Sequence, residues 1–157
     1  MRTNLPVTQN EREFPEDCAL VSTTDAQGRI THCNHHFVDI SGFDYEELIG
    51  QPHNIVRHPD MPTEAFKDMW GTIGRGRPWS GVVKNRCKNG DFYWVLANVT
   101  PVLANGKPVA YMSVRLKPSR AQIAQAEALY ERLRRQREDT RSRIHLHAGG
   151  VRRYGLA

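Results

Sequence analysis

Three long segments of alternating apolar and polar residues constrain the fold of this chain most strongly. They span residues 79–86, 92–102 and 108–116. The turns between them contain Asn89-Gly90 and Asn105-Gly106, and Asn-Gly is a strong signal for a tight hairpin. A period of two is typical of β-strands. The second half of the chain is therefore predicted to form an antiparallel meander of three strands.

The first half of the chain predicts a shorter hairpin followed by short helices. Residues 18–23 and 29–33 have strand composition, and a turn sequence ending at Gly28 joins them. Asn34 stands where the first helix would begin, and Asp44 with Glu47 forms a capping-box pattern for the second. The predicted fold class is α+β: a five-stranded antiparallel sheet with short helices covering one face, which makes a concave pocket.

The remaining segments lie between the hairpin and the meander and after the meander. Pro52 and Pro59 predict that residues 51–62 are irregular, and Thr63 is predicted to cap a longer helix. After the meander, residues 119–143 have the pattern of one helix. We therefore predict a flexible or loosely docked N-terminal cap at 1–17, a folded domain at 18–117, and a basic linker helix with a tail at 118–157.

Charge and composition exclude several classes of protein. Residues 1–119 carry 13 basic and 13 acidic side chains, so the formal net charge of +5 comes from residues 120–157. Nucleic-acid binding is not predicted, because it requires a basic face on the folded body. The sequence contains no apolar run long enough to span a membrane and no secretory signal at its start. We expect a cytoplasmic location, on the cytoplasmic face of the inner membrane if the chain is part of a longer protein, with three reduced cysteines.

The sequence resembles a known family. The run ITHCNHHFVDISGFDYEELIGQ at 30–51, with KNGDFYW at 88–94 and NGKPVAYMSVR at 105–115, is similar to PAS sensory domains over residues 20–117. A sharper match is GQPHNIVRHPDMP at 50–62, which together with AFKDMW, PWSG and VKNR resembles the PAS domain of the bacterial aerotaxis receptor family. This resemblance implies a PAS fold that holds FAD non-covalently and senses its redox state. It also implies a downstream signalling module and a membrane anchor outside this sequence.

The loop at residues 53–60 contains side chains suited to a flavin phosphate. Arg57 offers a planar fork for phosphate, and His58 is a candidate second donor. His53 is a further candidate cofactor-binding residue. Asp60 would orient one of these or hold a ribose hydroxyl. The alternative is an exposed loop whose charges pair with one another. The resemblance favours cofactor binding, because this segment matches the family's cofactor-binding motif.

Strand alternation extends the candidate site to the meander. By similarity to flavin-binding relatives, Asn85 is expected to face the pocket, so Val83, Gly81 and Trp79 face it too. Trp79 would then pack on the flavin ring or serve as a core aromatic. Trp70 is predicted to be either core or a wall beside the flavin or adenine, and Asn34 to cap a helix, touch the cofactor, or do both.

Two departures from flavin-binding light sensors change the expected chemistry. Val95 and Arg115 stand where such sensors carry an Asn and a Gln, and an inward-facing Arg115 would be a buried charge that needs a partner. Residues 53–60 contain no cysteine, so adduct-forming photochemistry is not expected.

The predicted outer face of the sheet is also apolar, with Trp94 and Leu96 on one strand and Met112, Val114 and Leu116 on the next. Such a patch marks a contact surface. The helical seam of Ile123, Ala126, Tyr130 and Leu133 is expected to dock there or to pair with a second copy in a homodimer. Arginines from 132 to 143 form a basic cluster, for which we expect contact with anionic lipid.

Taken together, the sequence predicts an FAD-binding PAS redox sensor for aerotaxis, in which a change of redox state alters the contacts of the sheet and the linker. It contains no catalytic motif, so we predict no enzyme activity, and its histidine clusters do not predict a metal site. Two alternatives remain: a haem PAS domain with His53 or His58 as axial ligand, and a cofactor-free PAS interaction module. The choice of FAD over FMN rests on the resemblance.

Overall fold

A computed structural model describes residues 4–141, with side chains up to residue 139. The elements follow in the order β1 Leu20–Asp25, β2 Ile30–Cys33, α1 His35–Ser41, α2 Tyr45–Leu48, a 3₁₀ turn His53–Val56, α3 Thr63–Ile73, β3 Trp79–Arg86, β4 Phe92–Ala104, β5 Lys107–Leu116 and α4 Arg120–Arg141. The five strands form one antiparallel sheet in the order β2-β1-β5-β4-β3. The predicted fold class is confirmed.

Local signals account for the helix boundaries. The Oδ1 atom of Asn34 accepts a hydrogen bond from the amide of Phe37 at 3.1 Å and caps α1, which ends at Gly42 with φ of 75°. The amide of Asp44 donates to the Glu47 carboxylate at 3.0 Å, as the capping-box pattern predicts. The prediction that Thr63 caps α3 is wrong, because Pro62 is the N-cap residue and Thr63 begins the helix. The Thr63 hydroxyl donates instead to the Glu64 carboxylate at 2.8 Å.

The inner face of the sheet, which carries Trp79, Val83 and Asn85, is covered by the three short helices and the 3₁₀ turn. Leu48 and Val95 are completely buried between these layers, and Phe37 is almost so. The cysteines form no disulfide, and Cys33 and Cys87 are buried. Burying an aliphatic side chain of this kind contributes about 1.5–3 kcal/mol, so this layer of contacts fixes the helices over the inner face.

Helix α4 docks on the outer face of the sheet. Five of its side chains are buried: Ile123, Ala126, Leu129, Tyr130 and Leu133. The Tyr130 hydroxyl also donates to the carbonyl of Val82 on β3. Two partners were predicted for the helical seam, the apolar face of the sheet or a second copy of the chain. In the described residues the seam packs on the sheet of the same molecule. Met112 and Leu116 on β5 stay exposed. Within residues 4–141 no helix is both long and apolar enough to span a bilayer, and the predicted tail from residue 142 onwards, including Arg143, lies outside the described residues.

The described part of the N-terminal segment contacts the sheet and the loop before α3. The backbone of residues 8–12 pairs with that of residues 90–92, including the Arg12 amide to the Phe92 carbonyl at 2.7 Å. The side chain of Asn4 is buried, and its Nδ2 donates to the carbonyls of Asn54 at 3.0 Å and Arg57 at 2.8 Å. These contacts favour a docked cap over a free segment, and the mobility of the cap stays a prediction. Residues 1–3 lie outside the described part.

Replacing Asn4 with alanine is expected to lower the free energy of unfolding by about 1–3 kcal/mol, because the carbonyls of Asn54 and Arg57 lose their hydrogen-bond donor. The measurement is urea denaturation followed by circular dichroism. Asn10→Ala is the matched control, since the Asn10 side chain is exposed. Equal midpoints for the two variants would mean that the segment is only loosely attached.

Candidate functional site

A cavity of about 300 Å³ lies between the inner face of the sheet and the helical layer. Each meander strand contributes alternate residues: Trp79, Val83 and Asn85 from β3, Val95, Ala97 and Val99 from β4, and Tyr111, Ser113 and Arg115 from β5. The predicted parity is confirmed for the three β3 residues that line the cavity. The cavity is mostly apolar with a few convergent polar groups, which is typical of small-molecule sites of roughly 300–1,000 Å³.

Arg57 forms one polar point in the cavity wall. Its guanidinium carbon lies 3.8 Å from the centre of the Phe66 ring on α3, and its backbone bridges to Asn85 on β3. The Nε atom is buried and has no hydrogen-bond partner among the described residues. Burial lowers the pKa of Arg57 from its ordinary value, but an arginine remains charged. The charged guanidinium of Arg57 thus lies on the Phe66 ring, and its Nε–H donor is available to a ligand.

Arg115 forms a second polar point, and it is only 4% exposed. Its Nη2 atom lies 2.5 Å from Nε2 of His53 and 2.8 Å from the hydroxyl oxygen of Ser22. A guanidinium nitrogen only donates, so His53 accepts through Nε2 and is neutral. Burial, with the Arg115 charge second, lowers the pKa of His53 to about 3, and burial lowers that of Arg115 to about 10.

The charge of the cavity is unbalanced. Arg57 and Arg115 both line it, and no carboxylate is among the lining residues in the described chain. Apart from the Phe37 ring, 4.9 Å from its guanidinium carbon, the direct partners of Arg115 are neutral oxygen and nitrogen atoms. A buried charge without a counter-ion is costly, so the site is suited to a ligand that brings negative charge.

Three buried polar atoms at the cavity also have no protein partner within residues 4–139. They are Oδ1 of Asn54, Nε of Arg57 and Oγ of Ser113, and all three residues line the cavity. The great majority of buried polar groups in proteins have a hydrogen-bond partner. A ligand with several donors and acceptors on its edge would pair with these atoms. A flavin, with polar ring edges and phosphates, fits this set of one donor, one acceptor and one hydroxyl.

Three of the predicted cofactor-binding residues are absent from the cavity lining: Asn34, His58 and Asp60. The Asn34 side chain is used in the fold, since Oδ1 accepts from the Val21 amide at 3.1 Å and from Phe37, and Nδ2 donates to the Ala19 carbonyl at 2.8 Å. Its predicted role as a helix cap is therefore confirmed, and contact with a cofactor stays a prediction.

His58 and Asp60 lie outside the cavity because Arg57 has extended backbone, with ψ of 128°, so that the next side chain points away from it. His58 is buried and accepts through Nδ1 from the amide of Asp60 at 3.0 Å. The Asp60 carboxylate bonds to Nζ of Lys84 at 2.9 Å. Burial would raise the pKa of Asp60, but Lys84 lowers it below its ordinary value. Asp60 is thus paired with a lysine of β3, so the alternative of an exposed loop whose charges pair with one another does not describe this half of the loop.

The two tryptophans differ in exposure. Trp79 is buried and lines the cavity, and its indole Nε1 donates to the Asp68 carboxylate at 3.0 Å, which ties β3 to α3. Trp70 lines the cavity while 37% exposed, and it makes a T-shaped contact with Tyr111 at 5.5 Å between ring centroids. Trp70 is therefore a wall residue rather than a core residue.

The geometry of the two histidines disfavours the haem alternative. Nε2 of His53 is occupied by Arg115 and Ser22, so an iron bound there would displace a cation. His58 does not line the cavity. Sequence reasoning did not assign cavity roles to Phe66, Tyr111 and Ser113. Alternation along β5 would have found the last two, because they share the face of Arg115.

The stability of the protein is expected to fall as the pH drops below 6.5. The pKa of His53 is lowered to about 3, and burial followed by the charge of Lys84 lowers that of His58 to about 4. The unfolded chain takes up protons near pH 6.5 while the folded chain does not, so each histidine costs up to about 1.4 kcal/mol per pH unit down to its folded pKa.

Urea denaturation from pH 7.5 to 4.5 measures this effect. His53→Gln and His58→Asn retain an acceptor at the bonded position and are expected to flatten the profile. His35→Gln is the control, because His35 is exposed. A profile unchanged in both variants would contradict the neutral, buried state of these two rings.

Comparisons with known proteins agree with the geometry. The PAS fold family matches residues 30–115. The chain is 53% identical over 139 residues, 88% of its length, to the aerotaxis receptor of Escherichia coli (strain K12), and it spans 27% of that protein. It is 32% identical over 83 residues, 53% of its length, to the nitrogen fixation regulatory protein of Klebsiella pneumoniae, and it covers 17% of that relative.

Solved structures resemble the fold at low sequence identity. The light-state structure of the blue-light photoreceptor Aureochrome1 LOV superposes with a TM-score of 0.59 at 19% identity, over 76% of this chain and 91% of that one. A light-oxygen-voltage domain studied with a flavin analogue gives a TM-score of 0.61, also at 19% identity, over 74% of this chain and 87% of that one. At this identity the likeness supports the architecture alone.

Proposed function

This chain belongs to the PAS fold family, and from that premise we propose that its cavity binds FAD non-covalently and that the domain is the redox sensor of an aerotaxis receptor. The observation that carries the proposal is an apolar cavity with two guanidinium groups, Arg57 and Arg115, and no carboxylate among its described lining residues. The identity with the Escherichia coli aerotaxis receptor supports the biological role. The chain spans about a quarter of that receptor, so the downstream signalling module belongs to the proposal.

The lining residues divide into two groups by chemistry. Arg57 would hold phosphate, for which its planar fork is suited. Trp79, Asn85 and Arg115 would hold the ring, through an apolar wall, an amide and a cation. Asn34, His58 and Asp60 would act by positioning, since they brace the elements around the cavity. A bound flavin supplies reversible electron transfer, which changes the charge and the hydrogen-bonding pattern of its ring.

Arg115 is placed to pass such a change of charge to the sheet. It lies on β5, and its side chain bonds to the Ser22 hydroxyl and the Leu20 carbonyl of β1. Movement of the guanidinium therefore affects the pairing of β1 with β5, the strand that leads into α4. A ligand state shifts such an equilibrium only through different contacts in its two forms, and the proposal requires no enzyme activity.

A second route runs from the cavity loop to α4. Arg134 donates to the carbonyl of Asp60, and Arg137 donates to the Thr63 hydroxyl and lies 3.3 Å from the Glu64 carboxylate. Glu64 is buried, and Phe66 on the same helix lines the cavity. Helix α4 is thus linked to the wall of the cavity through α3.

Arg137→Gln is expected to loosen the end of α4 and to raise its cleavage rate by trypsin several-fold. The matched control is Arg135→Gln, which removes one trypsin site as well but alters only an exposed pair with Glu131 on the same helix. Limited proteolysis in the oxidised and the dithionite-reduced state measures the coupling. Identical patterns for both variants in both states would argue against a coupled output helix.

Two proposed partners involve the same helix. A homodimer would use the PAS domain or α4, and the exposed Met112 and Leu116 offer apolar surface beside the docked helix. Contact with anionic lipid would involve the basic cluster of arginines from 132 to 143, in which Arg135 is exposed and, within the described residues, pairs with Glu131 of the same helix.

An absorption spectrum of the freshly purified protein, before and after dithionite, tests the proposal. A two-band flavin spectrum that bleaches would support it, and acid release with chromatography would separate FAD from FMN. An intense Soret band would establish a haem protein instead. A colourless protein that does not take up added FAD would leave the cofactor-free interaction module.

A further inference from the structure

The mouth of the cavity lies between the β1–β2 turn and α3. Of the lining residues, Gln27, Pro52 and Trp70 are exposed to solvent. The turn passes close to the indole, because a Cβ atom added at Gly28 would lie 3.0 Å from Cη2 of Trp70. Gly28 has a φ of 84°, which also favours glycine there. Trp70 is therefore the aromatic side chain at the opening, whereas Trp79 and Tyr111 are buried inside.

The volume of the cavity limits what it encloses. At about 300 Å³ it is at the small end of small-molecule sites. A flavin ring with its ribityl chain accounts for a space of this size. With the flavin ring inside, we expect the larger dinucleotide to extend its adenosine half to the mouth, where it meets the residues that reach solvent.

Helix α3 sets the distance between the cation and the exposed indole. Phe66 and Trp70 are four residues apart and point to the same side, about 5–6 Å from each other along the helix. The guanidinium of Arg57 lies on the Phe66 ring. A pyrophosphate held by Arg57 therefore has Trp70 one helical turn away, which leaves room for the ribose that joins a pyrophosphate to its base.

We propose that Trp70 is the stacking surface for the adenine base and makes the site prefer FAD to FMN. This inference rests on the proposed function, since it assigns one half of the proposed cofactor. The indole is held before binding by the T-shaped contact with Tyr111 and by the turn at Gly28. An aromatic ring already fixed in position loses little freedom when a base stacks on it.

The test measures dissociation constants of FAD and of FMN for the flavin-stripped protein by fluorescence titration. Trp70→Ala is expected to weaken FAD about 5- to 150-fold, as expected for one base–aromatic stack, and to change FMN affinity less than about twofold. Trp70→Phe retains a flat ring and is expected to restore most of the preference. Tyr45→Ala is the control, since Tyr45 is exposed away from the cavity, against His32.

The outcomes separate this inference from the proposed function. Equal loss of FAD and FMN affinity in Trp70→Ala would overturn the stacking role and leave flavin binding intact. Wild-type protein that binds neither flavin would overturn both. If Trp70→Ala does not fold, Trp70→Leu removes the aromatic face while filling the same wall, and an unchanged FAD-to-FMN ratio in that variant would overturn the inference.

Discussion

Replacing Arg57 with alanine is expected to weaken the binding of FMN and FAD at least about 100-fold while riboflavin binding changes little. Riboflavin has no phosphate, so the comparison isolates the contact that Arg57 is proposed to make. A hydrogen bond to a charged group contributes about 1.5–3 kcal/mol, and a guanidinium fork makes two of them. Among the described residues that line the cavity, no other cation lies near α3. No other side chain there can replace Arg57 as the partner of the phosphate, so the affinity for FMN and FAD is expected to fall.

Isothermal or fluorescence titration of the stripped protein with the three flavins measures this effect. Arg57→Lys keeps the charge but not the planar fork, and we expect intermediate affinity. Arg75→Ala removes an exposed arginine just beyond α3 and is the matched control. Equal losses for riboflavin and FMN would show that Arg57 acts through the loop conformation. Full FAD occupancy in Arg57→Ala would rule out a phosphate role.

The sheet was predictable because its signals are local. Alternation over residues 79–116 and two Asn-Gly turns determine the strands and which residues share a face. The resemblance to flavin-binding relatives indicated that Asn85 faces inward, and alternation then placed Trp79 beside it; both line the cavity. The helix caps at Asn34 and Asp44 were predictable for the same reason, since a cap depends on residues three positions apart.

The loop before α3 was predicted only in part. The sequence indicates that residues 53–60 carry cofactor chemistry, but whether a side chain enters the cavity depends on the backbone direction at each residue. The extended backbone at Arg57 turns His58 away from the cavity, and Lys84, 24 positions after Asp60, then pairs with its carboxylate. No local pattern identifies a partner at that separation. The pairing of the N-terminal segment with residues 90–92 was missed for the same reason.

The buried charge of Arg115 leads to the second large effect. Arg115→Met is expected to make the flavin-free protein more stable, by about 1–4 kcal/mol, because a buried charge is replaced by an apolar side chain of similar length. Ser22 and His53 lie 3.1 Å apart and still bond to each other, so both keep a partner, and the Leu20 carbonyl loses only a long contact of 3.4 Å. Part of the low pKa of His53 comes from Arg115, so in this variant the part of the acid destabilisation that comes from His53 should end at a higher pH and be smaller in total.

The same substitution is expected to weaken flavin binding and to lower the reduction potential of the bound flavin, because a cation next to the ring favours the more negative, reduced form. Urea denaturation of the stripped protein, FAD titration and a redox titration measure the three effects, and Arg115→Lys, which keeps the charge, should leave the potential closer to that of the wild type. The effects on the stability of the flavin-free protein and on flavin affinity have opposite signs, and this difference distinguishes the two possible roles of Arg115. A residue that only supports the fold would lower stability and affinity together, whereas a charge retained for its ligand destabilises the empty cavity and stabilises the filled one. A flavin-free Arg115→Met protein less stable than the wild type would therefore assign Arg115 to the fold rather than to the cofactor.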